Sequence, residues 1–158
     1  MLLGAWRHSL TLGGLVLMAW AVTARPTPAS AWRWAKAMRA GVAAYEQANF
    51  AQAERFFKVA VKEAAKFDLG DPRAVQTLNA VGNLYRAEHK LDAAEMVLQR
   101  ARARAEVSLR STDPELAAAL NNLGALCTVE QRFSEANNLE ERAVAIVLNE
   151  SRRRHRDP

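Results

Sequence analysis

The sequence predicts an all-α protein made of three stacked helical hairpins and preceded by a signal peptide. Three observations lead to this prediction: a repeat with a period of about 42 residues, an Ala-rich composition without sustained strand-type alternation, and an apolar stretch near the N-terminus. Half of the 158 residues are hydrophobic and a quarter are charged, which is typical of a chain that folds around a core. We therefore expect helices throughout and no sheet.

The first element is a predicted signal peptide and linker at residues 1–31. Arg7 and His8 precede an uncharged, largely apolar stretch at 9–24, which is the layout of a signal peptide. Small residues that suit cleavage end at Ala24 and again at Ala31, with a proline-containing linker between them. We expect an exported protein, periplasmic or secreted. The alternative is an inner-membrane anchor at 9–24, although these 16 residues are fewer than the roughly 20 that span a bilayer.

A repeat organises residues 32–150. A shift of 42 residues superposes Asp71-Pro72 on Asp113-Pro114, Leu78-Asn79 on Leu120-Asn121, Gly82 on Gly124, and Arg100-Ala101 on Arg142-Ala143. A weaker copy appears at an offset of 41, where Gly41 precedes Gly82 and Ala53-Glu54 precedes Ala94-Glu95. Such a period is typical of an array of stacked helices. The units are predicted at 32–70, 71–112 and 113–150.

Each unit is predicted to contain two helices, at 32–48 and 51–67, 72–88 and 91–109, and 114–130 and 133–150. Asp71 and Asp113 are good N-caps, and each is followed by Pro at the first helical position. Gly82 and Gly124 fall in mid-helix, where Gly costs roughly 1 kcal/mol relative to Ala. We expect close approach of the second helix of the same unit to explain both glycines.

Charge and reactive residues exclude several functions. The formal net charge is +5, but residues 32–150 carry 16 basic and 16 acidic residues, so a nucleic-acid interface is not expected. The tail at 151–158 holds four Arg and no apolar residue, and we predict that it is a disordered basic segment. His8, His89 and His155 are far apart, and Cys127 occupies an apolar helix position that suits a core residue. No cofactor, metal or catalytic site is predicted, and the protein is not expected to be an enzyme.

Units two and three resemble the tetratricopeptide repeat. The resemblance lies in Leu78-x-x-Val81-Gly82-x-x-Tyr85, followed by Ala94, Leu98 and Ala101. In unit three, Leu120 to Leu126, Arg132 to Ala136 and Glu141-Arg142-Ala143 resemble the long, 42-residue repeats of the kinesin light chain type. Two departures are Cys127, where an aromatic residue is usual, and Glu140, where an apolar one is usual. The resemblance covers 34–150, and the predicted leader makes the chain similar to an exported bacterial member of the family.

The resemblance implies a short right-handed α-solenoid and a non-enzymatic scaffold that binds a peptide segment of a protein partner. In this family the first helix of each unit lines a concave groove. The groove residues implied here are Gln76, Asn79, Asn83, Arg86, Asn121 and Asn122, with Arg39 and Tyr45 added by unit one. An Asn carboxamide offers two donors and an acceptor, which suits contact with a peptide main chain. The alternative interpretation is that these Asn residues are solvated or cap-like.

The C-terminal end suggests a different class of function. Repeat arrays usually end in a helix with a polar outer face, and no such helix follows residue 150. The last predicted helix carries Val144, Ile146, Val147 and Leu148. The protein could therefore be a structural subunit that forms a homo-oligomer through this end. A membrane-tethered scaffold is the third possibility, with membrane contact only if the leader is uncleaved or the basic tail touches lipid.

Overall fold

Six α-helices form three consecutive hairpins. The computed structural model describes residues 27–110 and 113–155, and all regular elements within these ranges are helices. They are α1 (Pro28–Glu46), α2 (Phe50–Ala64), α3 (Pro72–Ala87), α4 (Leu91–Ser108), α5 (Pro114–Val129) and α6 (Phe133–Arg154). Hairpins α1–α2, α3–α4 and α5–α6 are the three units. Neighbouring units stack through α2 on α3, α4 on α5 and α3 on α5. This confirms the predicted all-helical array, while residues 1–26 of the predicted leader and linker lie outside the described residues.

The first helix of each unit begins with the same local chemistry. The side chains of Thr27, Asp71 and Asp113 accept hydrogen bonds from backbone N–H groups of the first turn, and Pro follows each cap. The caps at Asp71 and Asp113 are as predicted. Helix α1 begins at 28 rather than at the predicted 32, because Thr27-Pro28 is a third copy of this start signal and not part of a helix-averse linker. Apart from the ends of α1 and α6, predicted and observed boundaries differ by no more than three residues.

Helix α6 continues to Arg154, so the prediction of a disordered tail from residue 151 is wrong for 151–154. No Gly or Pro interrupts the chain between 133 and 157, and Arg is a good helix former. The positive charges also lie at the C-terminal end of the helix, where they interact favourably with its dipole. The remainder of the predicted tail, 156–158, lies outside the described residues.

Each hairpin turn contains one residue with a left-handed backbone. These residues are Ala48, His89 and Gln131, with φ angles of 55°, 57° and 62°. None of them is Gly, although a residue with a Cβ atom is disfavoured in this region by roughly 1–2 kcal/mol. The three positions are related by the repeat offsets of 41 and 42 residues, so the turn geometry belongs to the repeat itself.

The mid-helix glycines lie where the two helices of a unit approach closely. A Cβ atom on Gly82 would lie 2.4 Å from Cδ2 of Leu98 in α4. Gly41 faces Phe57 in the same way, with a Cβ to Cε1 distance of 2.5 Å. Gly124 faces the aliphatic part of Glu140 at 3.0 Å. The predicted packing reason for Gly82 and Gly124 is therefore confirmed.

Two apolar cores lie inside the array. One spans units two and three and includes Leu98, Leu120, Leu123 and Leu126. The other fills unit one and reaches Leu84 of α3. Cys127 lies in the first core with 1% of its surface exposed, and burial raises the pKa of its thiol. It is therefore a core residue, as predicted.

Candidate functional site

An open cleft of about 430 Å³ lies between the first helices of units one and two. Its apolar wall is formed on α1 by Trp34, Met38 and Val42. Two predicted groove residues, Arg39 of α1 and Gln76 of α3, lie at its edge, and both are exposed. Glu46 of α1 also lines the cleft and is exposed, so the cleft combines apolar surface with one cation, one carboxylate and one carboxamide.

A hydrogen bond joins α1 to α3 beside this cleft. The indole Nε1 of Trp34 donates to Oγ1 of Thr77 at 2.8 Å, and that hydroxyl donates to the backbone carbonyl of Arg73 at 2.7 Å. The guanidinium of Arg73 lies 3.8 Å from the ring centroid of Phe67 and pairs with Asp71. Hydrogen bonds from Arg73 hold the pKa of Asp71 below its usual value. The N-terminal end of α3 is thus held by apolar, cation–π and ionic contacts.

Four of the predicted groove residues form one stripe along α3. Gln76, Asn79, Asn83 and Arg86 recur at spacings of three and four, which places them on the same face of the helix. Asn79 is only 5% exposed, and its Nδ2 donates to the backbone carbonyl of Glu115 at 3.4 Å. In this structure Asn79 links α3 to α5 and does not present its carboxamide on the surface.

Asn83 and Asn122 form a second link between α3 and α5. Nδ2 of Asn83 donates to Oδ1 of Asn122 at 3.1 Å, and both residues are partly buried. Oδ1 of Asn83 and Nε of Arg86 have no hydrogen-bond partner among the described residues. The structure therefore brings Asn83 and Asn122 together, in a patch where Oδ1 of Asn83 and Nε of Arg86 are covered by the surrounding protein.

Asn121 lies apart from the other predicted groove residues. It lines a cleft of about 350 Å³ between α5 and α6, together with Val144, Val147 and Leu148. All residues that line this cleft belong to unit three. The six predicted residues are thus divided between the α1–α3–α5 side and the C-terminal end.

The sequence interpretation missed the apolar wall on α1. Trp34, Met38 and Val42 recur at a spacing of four, which places them on one face of a helix. That spacing is the signal that could have found them. It was overlooked because unit one has Ala37, Ala40 and Ala44 at its packing positions, which made this unit appear poor in large residues.

Within residues 27–110 and 113–155, no group of three His, Cys, Asp or Glu side chains is placed to hold a metal ion. None of the described helices is long and apolar enough to cross a bilayer.

Stacked helical hairpins with a cleft between the first helices define an α-helical repeat scaffold. Residues 73–149, which cover units two and three, match the family model of the tetratricopeptide repeat. This match supports the resemblance of the sequence to the tetratricopeptide repeat family. Members of this family generally mediate protein–protein interactions and are typically not enzymes. A comparison with curated proteins finds no match to the chain.

Proposed function

We propose that the chain is a non-enzymatic adaptor that binds a peptide segment of a protein partner in the groove between its first helices. The observation that carries the proposal is the cleft between α1 and α3, in which exposed Arg39 and Gln76 flank the apolar surface of Trp34. The family match adds that such scaffolds generally bind proteins. No cofactor is part of the proposal.

The chemistry of the groove suits a peptide with both apolar and polar contacts. An apolar side chain placed against Met38 and Val42 would gain roughly 25 cal/mol for each Å² removed from water. The carboxamide of Gln76 could then contact the peptide main chain. Further along α3, Oδ1 of Asn83 and Nε of Arg86 are buried atoms without internal partners. Both atoms are covered by the surrounding protein, so the polar contacts proposed for the peptide are those of exposed Arg39 and Gln76.

We also propose that the protein is exported, periplasmic or secreted, and that its leader is removed after Ala24. Helix α1 begins at Pro28, and Ser30 is buried with only 2% of its surface exposed. Cleavage after Ala31 would remove the first turn of α1 and its cap, whereas cleavage after Ala24 leaves both in place. The intact mass of the mature protein distinguishes these sites, and a mass that retains residues 1–24 would favour a membrane-tethered scaffold.

Affinity capture with matched variants tests the adaptor function. The groove variant combines Arg39→Ala with Gln76→Ala, and the control combines Arg55→Ala with Gln52→Ala, two exposed residues of the same types on α2. We expect the groove variant to lose a partner that the wild type and the control both retain, with helical content unchanged. Capture of the same proteins by all three forms would overturn the assignment of the groove as the binding surface.

A second candidate function is supported by the C-terminal end of the array. Val144, Val147 and Leu148 are 57%, 55% and 50% exposed around the cleft between α5 and α6. Exposed apolar side chains grouped in this way mark interaction surfaces. A structural subunit would self-associate here, and Val147→Asp would then abolish association in sedimentation experiments. Val107→Asp is the control, because Val107 is 79% exposed on α4 and does not line this cleft.

A further inference from the structure

A crevice between α2 and α4, above α3, forms a third surface that is separate from the groove and from the C-terminal end. Its deeper part has a volume of about 270 Å³ and is lined by Phe57, Val61, Leu78, Tyr85, Val97 and Arg100, among others. A shallower part continues along the same helices and shares Val61, Leu78 and Arg100 with it. The second helices of units one and two are thus separated by an apolar channel.

The equivalent boundary between α4 and α6 shows how this chain bridges two second helices. Nη1 of Arg132 lies 2.8 Å from Oε1 of Glu95, and Nη2 of Arg142 lies 3.1 Å from Oε1 of Glu106. Each ion pair joins α4 to α6 or to the residue that precedes it. Within the α4–α6 pair, carboxylates of α4 therefore neutralise cations of the following unit.

The repeat offsets show that neither bridge is reproduced between α2 and α4. Arg142 corresponds to Arg100 at an offset of 42, but Glu106 corresponds to Ala65 at an offset of 41. The cation of this pair is therefore present as Arg100 of unit two, but unit one has the methyl side chain of Ala65 in place of the acid. Arg100 is exposed and makes no ion pair with any described residue.

The second bridge is lost because its members pair locally. Arg132 and Glu95 correspond to Lys90 and Glu54. Nζ of Lys58 lies 3.0 Å from Oε1 of Glu54 on α2, and Nζ of Lys90 lies 3.1 Å from Oε2 of Glu88. The one acid on the crevice wall is thus already neutralised. Two further cations line the crevice, Arg100 and Arg104, and neither forms an ion pair with a described residue. Arg104 donates to the backbone carbonyl of Asp68 at 3.4 Å, whereas the guanidinium of Arg100 has no hydrogen-bond or ion-pair partner among the described residues.

We propose that the α2–α4 crevice binds an apolar segment of a protein partner that carries an Asp or Glu side chain, whose carboxylate pairs with Arg100 as Glu106 pairs with Arg142. Charge complementarity selects this occupant. A basic segment would be repelled by Arg100, and an uncharged one would leave the cation unpaired. Apolar side chains of the segment would pack on Val61, Leu78 and Val97, which line the channel floor and walls.

Two variants test the proposal from opposite directions. Arg100→Glu reverses the charge that the segment needs. Ala65→Glu keeps Arg100 but supplies the acid found in the equivalent position of α4, so that Arg100 becomes paired internally. Ala65 is exposed at the C-terminal end of α2 and lines the crevice, and the substitution buries no charge. Loss of binding in Ala65→Glu therefore cannot be attributed to a missing arginine or a damaged core.

The probe is a displayed library of random 12-residue peptides selected against the full chain. We expect selection of peptides with an Asp or Glu among apolar residues, and at least a tenfold weaker affinity for both Arg100→Glu and Ala65→Glu. Changing the acid of a selected peptide to its amide should weaken binding to the wild type by a similar factor. The same change should have little effect on binding to Ala65→Glu.

The other outcomes overturn the proposal. Selected peptides without an acid, no selected peptide, or equal binding to both variants and the wild type would each contradict it. Peptides lost only from Arg39→Glu would occupy the groove between the first helices, which would support the adaptor function while removing the crevice as a site. Self-association that Ala65→Glu abolishes would identify a second copy of the chain as the occupant, not a partner protein.

Discussion

The two mid-helix glycines of units two and three are expected to respond in opposite ways to the same substitution. In Gly82→Ala, the new Cβ atom would lie 2.4 Å from Cδ2 and 2.5 Å from Cγ of Leu98. Leu98 is wholly buried between helices, so it has no free space into which to move. In Gly124→Ala, the Cβ atom would lie 3.0 Å from Cγ of Glu140, an exposed side chain that is free to rotate away.

The expected energies follow from packing and helix propensity. Overpacking a well-packed core costs about 1–3 kcal/mol. Replacing a helical Gly by Ala recovers about 1 kcal/mol. Because the contacts at Leu98 are short and rigid, we expect Gly82→Ala to lower the free energy of unfolding by about 1–2 kcal/mol. Gly124→Ala should be neutral or should raise it by up to about 1 kcal/mol, since Glu140 can yield.

Denaturant titration followed by far-UV circular dichroism measures the free energy of unfolding of both variants under the same conditions. Leu98→Ala in the Gly82→Ala background serves as the control, because it removes the side chain that the new methyl group meets. The cycle should then show a favourable coupling of about 1–2 kcal/mol between the two changes. Equal effects of the two glycine substitutions, or no coupling between positions 82 and 98, would refute close helix approach at Gly82.

Three further predictions concern the helix ends and the turns. Asp71→Asn keeps the N-cap but loses the ion pair with Arg73, and should lower stability at pH 7 by about 1 kcal/mol. The folded state lowers the pKa of Asp71, so the stabilisation by its carboxylate is fully present above about pH 4 and is lost as the pH falls through the pKa of the folded state. The unfolding free energies of variant and wild type from urea titrations should therefore converge in acid. Burial, and secondarily the charge of Asp113, raise the pKa of Glu115. Glu115→Gln should therefore stabilise the protein at neutral pH and have no such effect below the ordinary carboxyl pKa. A difference in unfolding free energy between variant and wild type that is the same at neutral and acid pH would contradict this. Ala48→Gly should raise the thermal midpoint, because relief of the left-handed backbone is worth roughly 1–2 kcal/mol and the entropy of glycine costs roughly 0.5–1 kcal/mol, which leaves a net gain of roughly 0.5–1 kcal/mol. A destabilised variant would show that the turn carries no strain.

The repeat made most of the fold predictable. Asp-Pro pairs determine where α3 and α5 begin, and the matching offsets place the second helices. The start of α1 was misplaced because Thr27-Pro28 lies beside Pro26 and was interpreted as linker. The end of α6 was misplaced because a run of Arg residues resembles a disordered tail, although Arg supports helix wherever no Gly or Pro interrupts it.

The groove was less predictable because packing between units decides which side chains remain exposed. Counting along α3 places Asn79 on the same face as Gln76, but the approach of α5 buries Asn79 and leaves Gln76 exposed. Asn121 and Asn122 are adjacent in sequence, yet Asn122 contacts Asn83 while Asn121 lies on the end of the array. The absence of an acidic partner for Arg100 could not be predicted from its own unit alone. The ion pair between Arg142 and Glu106 identifies the position of the missing acid, and that pair depends on how α4 and α6 pack.

Site-specific photo-crosslinking tests the adaptor function most directly. A photoreactive amino acid would replace Gln76 in the groove between the first helices, and in a second variant Met96, which is 69% exposed on α4. The account predicts an adduct with a different protein from position 76 and none from position 96, with the adduct mapped by mass spectrometry to a short segment of the partner. Equal adducts from both positions, or adducts only between copies of this chain, would contradict the proposed role of the groove.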